Sequence, residues 1–228
     1  MAASNLIPRI ANRLSRILLK VCLRPAHRPD LVKLGSAYGG WVIPATLLEE
    51  SSVCYCVGVG EDITFDLALI ERFGCQVFAF DPTPRAIQHV KATTSAVGSF
   101  HFYPVGLWSA DGRLKFFAPQ NPCHVSHSIV NLQGTTGYFE AECKRLSTIM
   151  RELEHTSLDL LKLDIEGAEY EVLSSLLEDN IRIKVLCVEF DQPTHLSSII
   201  GMVRRLQQAQ YQLVRIDGWN FTFVGHHP

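Results

Sequence analysis

From residue 53 onward, short apolar runs alternate with stretches of helical periodicity. The runs are VCYCVG (53–58), QVFAF (76–80), FHFYPVGLW (100–108), LLKLD (160–164) and KVLCVEF (184–190). Runs this short and this apolar suit strands buried on both faces. After the first, Asp62 is placed to cap a helix carrying Ile63, Leu67 and Ile70 that ends near Gly74. After the second, Thr83-Pro84 offers an N-cap followed by proline at the first helical position, with Ile87 and Val90 on that helix. Asp111-Gly112 reads as a tight turn from which RLKFF pairs back onto the third run. Further helices are expected around 168–178 and 196–209, and YQLVRI with FTFVG reads as a closing antiparallel hairpin. This alternation specifies an α/β sheet with helices on both faces.

The chain has 228 residues, 47% of them hydrophobic, which is enough for one substantial core, and no linker marks a second. Residues 1–34 form a basic N-terminal segment, and residues 35–228 are expected to form one domain. No run approaches the roughly 18 apolar residues needed to cross a bilayer. The seven cysteines, at 22, 54, 56, 75, 123, 143 and 187, include no C-x-x-C pair. An odd, scattered set suits reduced thiols and a cytoplasmic location. Cys54 and Cys56 alternate onto one strand face, which suits core packing.

Charge is unevenly spread. Residues 1–30 carry six basic side chains against Asp30 alone, while the rest of the chain has 15 basic and 22 acidic residues. An acidic body repels phosphate, so nucleic acid is not an expected partner. In NLIPRIANRLSRILLKVCL (5–23), Ile10, Leu14, Ile17 and Val21 recur at helical spacing beside a second face bearing Arg9, Arg13, Arg16 and Lys20. Three readings stand open: a helix docked on the domain with its arginines solvated, peripheral contact with an anionic membrane surface, and a cleaved targeting peptide.

In parallel α/β sheets ligands bind beyond the carboxyl ends of the strands, where the strand order switches. The residues following each run are therefore the candidates. Gly58 and Gly60 let the backbone approach a ligand closely, and Glu61 and Asp62 follow them. Asp81 ends the second run, 21 residues beyond Gly60, where a carboxylate can accept the hydroxyls of a ribose. Leu107 follows the third run, and Asp164 and Glu166 follow the fourth. A dinucleotide fingerprint wants a third glycine at position 63, where Ile63 stands, and no G-x-x-x-x-G-K-[ST] sequence exists. The acids at these loops oppose a pyrophosphate and favour a cation. S-adenosylmethionine, with a ribose, no phosphate, a sulfonium and an ammonium, fits this inventory better than a dinucleotide.

KLDIEGAEYEVL (162–173) resembles the signature of FkbM-type methyltransferases, and FDPTP (80–84) is similar to that family's strand-tip acid followed by Pro-x-Pro. Tyr38-Gly39-Gly40-Trp41 and GVGEDITFD (58–66) look like a branch described as methyltransferase-like. The resemblance spans roughly residues 35–225. It implies a class I methyltransferase with a Rossmann-like fold, seven mostly parallel strands in the order 3-2-1-4-5-7-6, and S-adenosylmethionine as cofactor. It also implies methylation of a hydroxyl on a small molecule or glycan. The family has an acid two residues before the first glycine, where this chain has Cys56, and Glu61 or Asp62 is a candidate replacement for its contact with the methionine amino group.

Methyl transfer from a sulfonium needs an in-line acceptor, and a hydroxyl acceptor needs a base within hydrogen-bond reach. Asp164 is assigned to the cofactor side and Glu166 to the acceptor side, extended geometry placing both on one side of the chain. For Glu166, helix electrostatics competes with catalysis; for Glu169 the helix N-terminus is the reading taken. Lys162 shares the face of Asp164, either as internal counter-charge or snorkelling outward. The polar stretch 121–137 is a candidate acceptor lid, with His127, and less so His124, as a further base. No resident metal is expected, although Asp164, Glu189 and Asp191 offer oxygen ligands at adjacent strand tips. Two other functions remain open: a non-catalytic nucleoside-binding module at a membrane surface and an NAD-linked oxidoreductase.

Overall fold

The computed structural model of the chain describes residues 6–93, 98–118, 128–129, 131, 134–190 and 195–226, without side-chain detail for 6–13. The central sheet has seven strands. In chain order they are β3 (Val53–Val57), β4 (Gln76–Phe80), β5 (Phe100–Tyr103), β9 (Leu158–Leu163), β10 (Ile183–Glu189), β11 (Tyr211–Asp217) and β12 (Asn220–Gly225). In space they run β5-β4-β3-β9-β10-β12-β11. The first five are parallel, with Cys54 opposite Val77 on one side and opposite Leu160 on the other. β12 lies antiparallel on β10, and β11 antiparallel on β12. Numbered from β3, this is the order 3-2-1-4-5-7-6 of a class I methyltransferase fold.

Strand alternation divides the apolar runs between two cores. Tyr55, Val57, Phe80, Leu161, Leu163 and Val188 face one way. There they meet α4 (Leu146–Glu152), α5 (Glu169–Glu178), α6 (Leu196–Gln208) and α1 (Leu6–Leu23). Cys54, Cys56, Val77, Leu160 and Cys187 face the other way. They pack on α2 (Thr64–Phe73), α3 (Pro84–Thr93) and a hairpin of β1 (Leu31–Leu34) and β2 (Trp41–Pro44). The cysteines at 54, 56, 75, 143 and 187 are buried free thiols and Cys22 is an exposed one.

The third apolar run breaks where the sequence pattern reads as one strand. β5 stops at Tyr103, and Pro104, which has no N–H for the ladder, is followed by a tight bond from Val105 N to Tyr103 O (2.8 Å). The chain then enters a separate three-stranded sheet, β6 (Gly106–Leu107), β8 (Tyr138–Lys144) and β7 (Gly112–Phe117), in that spatial order. RLKFF therefore pairs with β8, not with the third run. β8 reads YFEAECK and alternates exposed with half-buried residues, Cys143 alone being buried, so it carries no apolar run to mark it as a strand. Helix α2 is capped at Ile63, without a side-chain bond, and Asp62 instead accepts from the amide of Thr64 (2.9 Å).

α1 lies against α6 and seats Leu19 and Leu23 in the first core. Leu19 is fully buried, while its neighbour Leu18 is half exposed. Leu19→Ala is expected to lower stability by about 2–4 kcal/mol and Leu18→Ala by less than about 0.5 kcal/mol, measured by urea unfolding.

Candidate active site

Moving along the chain from β3, successive strands β4 and β5 build to one side, and β9 then returns to the other. The sheet therefore splits its connections between β3 and β9 and leaves a crevice at their carboxyl ends. A cleft of about 870 Å³, counted out to its open mouth, occupies that place. The turns after β3, β4 and β9 form its walls, and Tyr38 and Gly39 from the β1–β2 loop also line it.

The turn after β3 is set by two glycines at positive φ, Gly58 at +81° and Gly60 at +56°. They do different work. A Cβ on Gly58 would collide with the carbonyl oxygen of Asp164, so the ends of β3 and β9 are in backbone contact. A Cβ on Gly60 would meet nothing within 4 Å and would enter open space. Asp81, 5% exposed, holds this turn. Its Oδ2 accepts from the amides of Val59 (3.0 Å) and Gly60 (2.9 Å). Its Oδ1 accepts from the amide (2.8 Å) and hydroxyl (2.6 Å) of Thr83. A carboxylate has about four acceptor positions, so a ribose reaching Asp81 shares it with these donors.

The turn after β9 does not continue extended. Glu166 adopts φ +54° and Gly167 φ +98°, so the chain reverses at these two positions, and Asp164 and Glu166 both line the cleft. Few side chains tolerate the left-handed region, and such residues gather at functional sites. Glu169 pins this reversal. It is fully buried at the start of α5, and its two oxygens accept from the amides of Ile165 (2.8 Å) and Gly167 (2.9 Å). Beyond a helix-end charge, it is thus a staple for the site loop. Burial pushes its carboxyl up to about 8, against the pull of those amide bonds.

Lys162 is the cation of the site. Its ammonium, 7% exposed, donates to Gly58 O and lies 3.2 Å from Asp164 Oδ2. It is an internal counter-charge and does not snorkel out. Burial would lower its pKa, but the facing carboxylates of Asp164 and Asp66 reverse this and raise it. Asp66 is buried on α2, and its Oδ1 meets no hydrogen-bond partner among the described residues. Burial pushes Asp66 up to about 6 despite the attraction of Lys162. The sequence holds no sign of this role: Asp66 comes to Lys162 because α2 packs on the sheet face that carries Cys56 and Leu160.

The other expected residues are placed as follows. Asp62 accepts from Ser36 Oγ (2.6 Å) and from the Thr64 hydroxyl (2.6 Å). Burial works to raise its pKa, but bonds from Ser36, Thr64 and Gly39 outweigh this and lower it. It ties the β1–β2 loop over the cleft, and a Cβ on Gly39 would strike it at 2.8 Å. Glu61 pairs with Arg85 on α3 at 2.7 Å, both being 41% exposed. Leu107 is buried in the cleft wall. Ser128 Oγ donates to Glu166 O (2.5 Å), and Ile129 lines the cleft. His127, His124 and Asp191 lie outside the described residues. Among the described residues no cluster of three His, Cys, Asp or Glu side chains is disposed to hold a metal ion. The cleft is lined by the carboxylates of Glu61, Asp62, Asp81, Asp164 and Glu166 and by one ammonium.

Sheet order and switch-point cleft define a class I methyltransferase fold. The family model described as the methyltransferase FkbM domain matches residues 53–213, and the chain belongs to that family. It is 25% identical over 157 residues to the probable methyltransferase-like protein 24 of Rattus norvegicus, covering 69% of this chain and 36% of that protein. Against the protein of the same name from Homo sapiens it is 24% identical over 202 residues, covering 83% and 48%. The chain thus spans less than half the length of these curated relatives. A solved structure, the Methanococcus jannaschii fibrillarin pre-rRNA processing protein, matches with a TM-score of 0.49 at 9% identity, covering 82% of this chain and 71% of that one.

Two predictions follow from the two turns. Gly58→Ala is expected to destabilise the fold severely, by collision with Asp164, whereas Gly60→Ala costs only about 1–2 kcal/mol and instead weakens ligand binding. Thermal melts beside ligand titration distinguish them. Glu169 binds its proton more tightly folded than unfolded, so its contribution to stability is full below about pH 4.5 and is lost as pH rises through about 8. Asp66 adds a loss in the same direction at lower pH. Denaturant midpoints should fall across that window, and Glu169→Gln should show a shallower fall.

Proposed function

We propose that this methyltransferase uses S-adenosylmethionine and transfers its methyl group to a hydroxyl of a small molecule or glycan. The observation that carries the reading is the charge of the cleft: among the described residues its lining includes five acidic side chains and a single basic one, Lys162, which lies against Asp164. Such a surface attracts a cation and repels a pyrophosphate, which weighs against a nicotinamide dinucleotide. Gly60, open on its Cβ side, leaves room for a ligand against the backbone.

When bound, the cofactor supplies a methyl group on a positively charged sulfur, ready for in-line displacement. The protein's part is to hold and orient. Asp164, fixed beside Lys162 at the end of β9, presents negative charge to the sulfonium side. Glu166, held in its turn by Glu169 below and Ser128 beside it, faces the acceptor side and takes the hydroxyl proton as the new bond forms. Tyr38, 87% exposed at the mouth, offers an aromatic plane to the entering acceptor.

Cys56 in place of the family's acid favours a second reading, a nucleoside-binding module without catalysis. One set of measurements separates the readings. Calorimetry is expected to show S-adenosylmethionine binding and no NAD binding; failure to bind the former at about millimolar concentration sinks the proposal. Glu166→Gln is expected to leave that affinity unchanged and to lower methyl transfer to hydroxyl acceptors by roughly 10²–10⁴. Asp164→Asn is expected to weaken binding itself.

A further inference from the structure

Helix α1 precedes the residues matched by the family model and carries two apolar faces. One, through Leu19 and Leu23, is seated in the core. The other is in solvent. Six large apolar side chains stand exposed among the described residues, and four of them are Leu14 (61%), Ile17 (51%), Leu18 (49%) and Val21 (62%). Their spacing puts them on one helix face. That concentration, on a helix already anchored by its opposite side, is not explained by the packing of the domain.

Charge names the occupant. Arg16, Lys20 and Arg24 are exposed and run along one border of the apolar face, and Arg9 and Arg13 continue the same line in the sequence. Residues 1–29 contain no acid, and the first, Asp30, is taken by Arg28 at 2.8 Å. The bases along α1 keep it from being apolar enough to cross a bilayer. An apolar stripe with cations along one border and no acid on the helix matches a surface that is apolar below and anionic above.

We infer that α1 seats the protein on an anionic lipid bilayer, lying along its surface. Leu14, Ile17, Leu18 and Val21 enter the boundary between headgroups and acyl chains, and Lys20 and Arg24 lie at phosphate level. The contact is independent of methyl transfer, and its test needs no substrate.

The test is co-sedimentation of the full chain with vesicles of phosphatidylcholine alone and of phosphatidylcholine mixed with phosphatidylserine. Partitioning is expected to be at least about tenfold stronger on the mixed vesicles and to fall as salt is raised. Ile17→Glu combined with Val21→Glu is expected to reduce it by more than roughly a hundredfold. Both positions are exposed, so the unfolding midpoint should not move. Lys20→Gln is expected to reduce partitioning about fivefold. Absence of binding to the mixed vesicles overturns the inference, as does equal binding to both vesicle types. Self-association in sedimentation velocity that Ile17→Glu with Val21→Glu abolishes, without vesicle binding, overturns it in favour of a second copy of this chain.

Discussion

The site depends on one buried ammonium. Lys162 sits where β3 and β9 end side by side, donating to Gly58 O and facing Asp164 and Asp66. A lysine so enclosed is tolerable only while its carboxylate partners are in place, and stranding one member of such a pair costs about 3–5 kcal/mol. The same contacts fix the geometry of the cleft. Gly58 must lack a side chain for Asp164 to approach it, and Asp164 must stop where it does for the reversal at Glu166 and Gly167 to begin. From there Glu169 gathers the amides of that reversal, as Asp81 gathers those of the turn after β3. Two buried carboxylates holding two turns, and one lysine joining the strands between them, account for the shape of the binding place.

What the sequence discloses and what it hides divide along physical lines. Strands buried on both faces announce themselves, because VCYCV, QVFAF, LLKL and KVLCVE place apolar residues on both faces in succession. β8 is hidden because a strand of the smaller, exposed sheet alternates Glu140, Glu142 and Lys144 with small or half-buried residues and reads as polar. β5 and β6 merge in the sequence because an apolar run does not say to which sheet its parts belong; Pro104 is the signal for the break. The positions of Asp164, Glu166 and Asp81 at strand tips were legible, since strand ends face the switch point in any such sheet. Which hydrogen bonds occupy them was not. Asp81 reads as a ligand acceptor and is met in the structure by four donors of its own chain. Glu169 reads as a helix-end charge and proves to be a buried staple, because side-chain direction in a first turn is set by the loop it folds back upon.

Cys56 shows how far a family pattern can be carried residue by residue. A carboxylate at position 56 would lie on β3 directly across from Lys162 on β9, since these two are register partners. Here the thiol stands there, buried and neutral, its pKa raised first by burial and then by the neighbouring Asp66. The negative charge that Lys162 requires comes instead from Asp66, one layer further out on α2, with Asp164 on the other side. The acids that balance Lys162 thus lie off β3, and Asp66 lies away from the cleft, whose lining includes Lys162 but not Asp66. Any contact with a ligand ammonium that position 56 would make must then fall to a carboxylate on the cleft surface. Asp62 is committed to Ser36 and Thr64, and Asp81 to its turn. Among the described residues Glu61, half exposed, pairs with the surface arginine Arg85, and because an exposed ion pair is worth no more than about 1 kcal/mol its carboxylate is released at lower cost than that of Asp62 or Asp81.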